Sequence, residues 1–472
     1  MSENRSGSAP QGAGLDLHLD PGAAGGRRLA LESALREAVR SGRLAPATLL
    51  PSTRSLAAGL GLSRGTVTAA YDQLAEEGYL TVRPGSGTRV ADVPAAARTP
   101  AAPVPVPDPP RHDLRPGLPD TSAFPARAWL AATRRILASA GPGVFGPGDP
   151  RGRIELRTAL AGYLGRTRGV LTTPDRVVVT SGFHQSVRLL AGVLRERGAT
   201  AVAVEDPGHD HYRGALRRAG LATPALPVDG GGARVDALPP QAAAVMLTPS
   251  HHYPTGVPLA PDRRPLLGGW ARTTGGLILE DDYDGEFRYD RRPVGALQGF
   301  TPGHTVYCGT ASKTLGPGLR LAWMVLPPDL VAPVVAAKAE ADLYTGALEQ
   351  LVLADLIRTH AYDRHVRAAR TAYGRRREQL LARLSAFPAL TPHGVPAGLH
   401  TLVTLPDGGP GETALLDACT RRGIALRGLR ELHHRPDAGP EGLLVGFAAA
   451  SRHGYPRALD ALCSVLAGHH RD

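Results

Sequence analysis

Only two of the 54 cationic side chains in this 472-residue sequence are lysines. One of them, Lys313, stands in the turn "GTASKTLGPG" between two apolar runs. Arginine serves almost everywhere else that positive charge alone suffices. The amine at 313 therefore points to chemistry closed to a guanidinium: it can lose its proton and condense with a carbonyl. Such a nucleophile works best on a phosphorylated carbonyl cofactor when an acid meets the cofactor's far side and a cation holds its phosphate. "LILEDDYDGEF" ends an apolar strand at Asp281 and sets Tyr283 two residues on, leaving by the same face. An aspartate there can keep a ring nitrogen protonated, and a tyrosine hydroxyl can bond a ring oxygen. Arg320, shortly after Lys313, can supply bidentate phosphate contacts. "VVVTSGFHQSVRLL" adds a strand, a Ser181-Gly182 turn and a helix start, whose free N–H groups suit an anion.

These groups need a sheet to hold them. From Leu114 onward, short β-branched runs alternate with Ala/Leu/Arg-rich helical patterns. Strands are predicted at 176–180, 201–205, 243–247, 276–281, 305–309 and 322–327. Helix-length segments between several of them give the βαβ rhythm of an α/β fold with a mostly parallel sheet. Residues 1–26 read as a disordered tail, 27–92 as a separate module, and the Pro/Ala-rich 93–113 as a semi-rigid linker to the large domain at 114–472.

Composition excludes several classes. No apolar run approaches a membrane span, and "MSENRSGSAPQGAG" has no signal-peptide core, so no membrane partner and a cytoplasmic site are expected. Cys308, Cys419 and Cys463 lie far apart without metal-ligand spacing, which predicts neither a metal nor a disulfide framework. A formal net charge of +11 favours a polyanionic partner.

The N-terminal module names that partner. Leu31, Leu35 and Val39 share one helical stripe. Ser52 and Ser63 read as N-caps of two short helices separated by Gly61, with Leu56 and Leu60 inward on the first. Val67, Ala70, Tyr71 and Leu74 face inward on the second. Helix, tight turn and capped helix make a helix-turn-helix, and "LTVRPGSGTRV" adds a two-stranded wing. The order Pro51-Ser52-Thr53-Arg54, Leu62-Ser63-Arg64, Glu77-Gly78-Tyr79-Leu80 and Gly85-Ser86-Gly87-Thr88 resembles the GntR-type winged helix-turn-helix. That resemblance implies double-stranded DNA as partner, met by Arg54, Ser63, Arg64, Thr66, Gly87 and Thr88.

The set around Lys313 resembles the fold-type I aminotransferases that use pyridoxal 5′-phosphate. The fusion resembles more closely the MocR subfamily, in which a GntR-type head precedes that fold. Further matches are Pro119-Asp120, "DPRGRIELRTALAGYLGRTRGV", Glu205-Asp206-Pro207-Gly208, "TPSHHYPTG" and "GLH". The resemblance implies a fold-type I aminotransferase-like domain with a smaller C-terminal α/β subdomain. It assigns the Schiff base to Lys313, the pyridine nitrogen to Asp281 and the ring oxygen to Tyr283. Ser181, Gly182, Ser312 and Arg320 would hold the phosphate, and Phe183, His209 and Tyr253 complete the cofactor site. It further implies a head-to-tail homodimer. The function implied is transcription regulation by an amine, amino acid or related metabolite; the alternative is a working aminotransferase with a DNA-binding head.

Departures from the family pattern cluster at the site. Pro147 stands where a tyrosine expected to reach the partner's phosphate is usual, and His209 where a stacking tyrosine is common. His184 and His252 replace common glutamines. "EGLLVGFAAAS", 441–451, has no arginine for a substrate carboxylate, for which Arg430, Arg435 and Arg452 are the candidate substitutes.

Overall fold

The computed structural model describes residues 26–83, 85–92, 108–290, 294–437 and 439–469, and the chain divides into two compact units, Met1–Pro107 and Asp108–Asp472. Of the tail expected at 1–26, residues 1–25 lie outside the described residues, as do 93–107 of the expected linker.

In the small unit, α1 (Gly26–Arg40), α2 (Thr53–Leu60) and α3 (Arg64–Glu76) precede an antiparallel ribbon of β1 (Leu80–Arg83) and β2 (Gly87–Val90). Local chemistry sets the boundaries. The Ser52 hydroxyl caps α2, accepting from Ser55 N–H at 3.1 Å, and Gly61 ends it at φ 63°, a left-handed conformation open to glycine. Ser63 caps α3 in the same way, accepting from Thr66 N–H at 3.1 Å. The stripes expected from spacing meet Leu56, Leu80 and Val90 in one core. Each fully buried leucine there contributes about 2 kcal/mol. Arg36 grips Glu77 through two hydrogen bonds of 2.9 Å, tying α1 to the end of α3.

The large unit's strands are β3 (His112–Asp113), β4 (Val177–Thr180), β5 (Val202–Asp206), β6 (Ala225–Asp229), β7 (Gly232–Ala233), β8 (Ala244–Leu247), β9 (Leu277–Asp281), β10 (Thr305–Thr310), β11 (Ala322–Val325), β12 (Thr391–His393), β13 (His400–Thr404), β14 (Ile424–Ala425), β15 (Arg427–Gly428) and β16 (Gly442–Gly446). Its helices are α4 (Ala126–Ser139), α5 (Ile154–Arg168), α6 (Phe183–Glu196), α7 (Asp210–Arg218), α8 (Arg263–Thr274), α9 (Pro328–Asp342), α10 (Ala347–Arg358), α11 (Ala361–Leu384), α12 (Glu412–Arg421) and α13 (Tyr455–His469).

Eight strands form one sheet in the order β4-β11-β10-β9-β8-β5-β6-β7. Neighbours from β10 through β6 run parallel, whereas β11 is antiparallel to both β10 and β4. Strand alternation buries both faces: Val178 joins a core with α6 and α9, while Val177 and Val179 join one with α5 and α10. The antiparallel sheet β12-β13-β16-β15 packs with α11, α12 and α13 around Leu380, Leu415, Leu443 and Leu462 to make the smaller subdomain.

His112 and Asp113, expected to end the linker, instead form a strand of this unit, paired in parallel with Ile424 and Ala425. Their partners lie far along the chain, so the local Pro/Ala composition gives no sign of them. Among the described residues no helix is long and apolar enough to cross a membrane, and no group of three or more His, Cys, Asp or Glu could hold a metal ion.

Candidate functional site

The carboxyl ends of β4, β5, β9 and β10 open on a cavity of about 440 Å³ within the large unit. This is the edge at which open α/β sheets bind ligands. Gly182, Phe183, His209, Tyr253, Asp281, Tyr283, Ser312, Lys313 and Arg320 all line it. Ser181 does not. It lies in a side cavity with Arg320, Asp342, Tyr344 and Glu349, and its N–H is taken by Gln185 Oε1 at 2.7 Å. Pro147 precedes Gly148, where an added Cβ would stand 3.4 Å from the ring of Tyr344, a residue lining that side cavity.

Asp281 and Lys313 both line the cavity. Asp281 is 5% exposed, yet among the described residues nothing hydrogen-bonds or ion-pairs with its carboxylate. Burial pushes this carboxyl well above the usual carboxylate range, against the opposing pull of Lys313. Burial also lowers the Lys313 amine, with Asp281 and Asp284 opposing. A depressed amine stands closer to its nucleophilic free base at neutral pH. Asp282, between Asp281 and Tyr283, turns the other way, where Arg168 grips it at 2.7 and 2.8 Å. The alternation expected for this stretch places both functional side chains in the cavity.

The cavity also has a cationic part. Helix α6 starts without a side-chain cap, so first-turn N–H groups are left for an anion. Gly182 adopts φ 146°, and a Cβ there would stand 2.8 Å from an Arg320 guanidinium nitrogen. Glycine thus leaves the space through which the guanidinium reaches the helix start.

In the same cavity the His209 ring stacks on Tyr253 at 3.8 Å and 4°, with Tyr212 edge-on to both His209 and Phe183. Burial, reinforced by the charges of Lys313 and Arg427, holds the His209 imidazole well below its ordinary pKa, so it packs as a neutral ring. Tyr253 is positioned from behind. Thr248 Oγ1 accepts from Tyr253 N–H at 3.1 Å and donates to Glu205 Oε2 at 2.8 Å. His184 contacts His211, ring to ring at 4.6 Å, and His252 Nδ1 bonds Thr255 Oγ1 at 2.7 Å.

The expected substitutes for the missing arginine do not line the cavity. Arg430 is held by Asp437 and, at 3.0 Å, by Glu441, while Arg435 and Arg452 are exposed. Within 441–451, Leu444 is buried in an apolar cluster with Tyr253 and Tyr283. Besides Arg320, and Arg115 paired with Asp113, the cavity is lined by Arg427, whose Nη1 lies 3.4 Å from the Tyr253 hydroxyl and whose Nη2 lies 2.9 Å from Asp210. Sequence reasoning missed it, together with Arg115 and Gly117.

In the small unit, Arg54 falls in the first turn of α2 and Arg64 opens α3; both are exposed and free of side-chain partners among the described residues. The Ser63 and Thr66 hydroxyls bond each other at 2.8 Å within the cap. Gly87 and Thr88 begin β2, with Gly87 at φ 80° directly against Leu49.

Two family descriptions match the chain: "Bacterial regulatory proteins, gntR family" over residues 28–90 and "Aminotransferase class I and II" over residues 116–462. At 34% identity over 381 residues, 79% of this chain and 82% of the relative, it is similar to the HTH-type pyridoxine biosynthesis transcriptional regulator PdxR of Corynebacterium glutamicum. It is 33% identical over 370 residues, 74% of this chain and 75% of the relative, to the probable rhizopine catabolism regulatory protein MocR of Rhizobium meliloti. Among solved structures, an archaeal alanine:glyoxylate aminotransferase superposes with a TM-score of 0.69 at 23% identity, covering 76% of this chain and 91% of that one. That likeness shows the fold.

Proposed function

We propose, from the premise that this chain belongs to the MocR subfamily of GntR-type regulators, that its pyridoxal 5′-phosphate–lysine site reads a small effector bearing an amine and a carboxylate. Transcription regulation is the function of the named relatives, and the N-terminal unit is of the DNA-binding GntR type. Pyridoxal 5′-phosphate is the cofactor of the aminotransferase fold. When bound, it supplies an electrophilic carbonyl and an electron-withdrawing ring to an amine.

The residues of this chain fit that group. Lys313 would hold the carbonyl carbon, Asp281 the ring nitrogen's proton and Tyr283 the ring oxygen. The start of α6, Gly182, Ser312 and Arg320 would hold the phosphate, and the His209–Tyr253 stack would pack against the ring. The single observation that carries this reading is Asp281: a buried carboxyl with no hydrogen bond or ion pair among the described residues, in one cavity with a depressed amine. A protonated ring nitrogen gives it the partner it lacks.

The relatives' names span pyridoxine biosynthesis and rhizopine catabolism, so the effector's class is read from the cavity instead. Arg427 offers a carboxylate a charged fork there. Arg54, Ser63, Arg64, Thr66, Gly87 and Thr88 would meet the operator, in the cytoplasm. A second copy would complete a head-to-tail dimer; Leu343 and Tyr344, 62% and 40% exposed beside the side cavity, are suited to covering by it. Coupling the effector to DNA requires differential affinity for two arrangements, about 1–3 kcal/mol.

Supplied with pyridoxal 5′-phosphate, the purified protein should gain visible absorbance that Lys313→Ala lacks. An amino acid should then change operator binding in a mobility-shift titration. Wild-type protein that stays colourless would remove the sensing account.

A further inference from the structure

Two motifs, "TPSHHYPTG" and "GLH", seat one imidazole that the site as read above leaves unused. His251, 3% exposed, lies behind Tyr283 with Nδ1 3.1 Å from the phenolic oxygen and 2.8 Å from Asp284 Oδ2. Asp284 is itself buried. Gly256 and Gly398, left-handed at φ 73° and 74°, close on the ring. A Cβ on Gly398 would run into His251 Cε1, and one on Gly256 would stand 3.2 Å from Nε2. A side chain at 398 would expel the imidazole, so the niche is shaped to it.

Carboxylate oxygens accept, so the 2.8 Å contact to Asp284 Oδ2 is met by the tautomer with its proton on His251 Nδ1. That N–H also leans on a lone pair of the Tyr283 oxygen, which leaves the phenolic proton to point into the cavity. Asp284 already lies within hydrogen-bond reach of the hydroxyl and competes for the same proton, so without the imidazole to occupy that carboxylate the proton would turn to it. We infer that His251 and Asp284 are positioning residues: they aim the Tyr283 hydroxyl at the ring oxygen of the bound ligand and so set the pH at which the cofactor changes colour. The inference rests on the pyridoxal 5′-phosphate reading above. The other titratable groups facing this cluster are Asp281, Lys313, Tyr253, His252, His400, Glu286 and Tyr289. All of them stay in place in the variants below.

The test is a spectroscopic pH titration of the full-length holoprotein. A hydrogen bond donated to an anionic ring oxygen stabilises that anion, so losing it moves the colour change to higher pH. Tyr283→Phe should raise the midpoint by about one unit. His251→Leu should raise it as far, although the phenol remains, and the double variant should go no further than either single one. His251→Asn, whose amide N–H can reach Asp284, should keep a midpoint near wild type. Should His251→Leu fail to fold, His251→Phe keeps the ring's bulk without its nitrogens. Additive shifts in the double variant, or a wild-type midpoint in the coloured His251→Leu protein, overturn the inference. Wild-type protein that binds no cofactor overturns the reading beneath it instead.

Discussion

Arg427 and Leu444 are register partners across the antiparallel strands β15 and β16. Opposed residues of such a pair project on the same face, with Cβ atoms about 5 Å apart. The cation missing from 441–451 therefore sits one strand over, opposite an apolar residue, and reaches the cavity from there. Asp210 and Glu431 both engage Arg427 with side chains 40% and 54% exposed. Exposed carboxylates hold a guanidinium loosely, and a ligand carboxylate can replace one of them.

This relationship predicts the effect of Arg427→Met. Charge-assisted hydrogen bonds are worth about 1.5–3 kcal/mol, so the response to an amino acid should weaken roughly 10- to 100-fold. The matched decarboxylated amine, phenethylamine against phenylalanine or cadaverine against lysine, should be unaffected. The shift of the cofactor's visible band on titration reads both. Equal weakening for acid and amine would show that Arg427 supports the site without selecting its ligand.

At the proposed phosphate site, Gly182→Ala should reduce pyridoxal 5′-phosphate affinity by about 10-fold or more while the protein still folds. The added methyl meets the end of a flexible Arg320 side chain, which can move aside, but φ 146° strains any L residue by about 1–2 kcal/mol. Moving the guanidinium withdraws it from the helix start. Fluorescence titration with the cofactor measures the loss; unchanged affinity would place the phosphate elsewhere.

For the DNA-binding head, Arg64→Ala should weaken operator binding and lower the slope of log affinity against log salt by about one unit. Cofactor absorbance should be intact, because Arg64 and the cavity belong to separate units. Loss of both together would contradict that separation.

Much of this site was legible in the sequence because each piece is a local pattern. An apolar strand ending in Asp281, a residue skipped to Tyr283, a lone lysine in a small-residue turn and a glycine before a helix all announce themselves within a few positions. What escaped depends on distant partners. Arg427 reaches the cavity through its register with β16, and no neighbour in "IALRGLR" marks it. Ser181 is a local exception: expected at the phosphate, it lines the side cavity, with its N–H given to Gln185 one helical turn on. His112 and Asp113 looked like linker because their strand partners, Ile424 and Ala425, are remote. The niche that holds His251 is likewise closed by Gly256 and Gly398 from two separate loops.

Glu205 yields a prediction about stability against pH. Burial pushes its carboxyl from an ordinary value of 4.5 up to about 8, while the bonds from Thr248 oppose the shift. The folded state thus binds this proton more tightly than the unfolded chain does. The stability it contributes is fully present below about pH 4.5 and is lost as pH rises through about 8. Glu205→Gln keeps an amide oxygen to accept from Thr248 and cannot ionise. The variant should therefore match wild type near pH 5 and exceed it by a few kcal/mol above pH 8. Melting temperatures across that range measure the difference. A gap that is constant with pH would mean that Glu205 does not change ionisation on folding, and that the support beneath Tyr253 is an ion rather than a neutral acid.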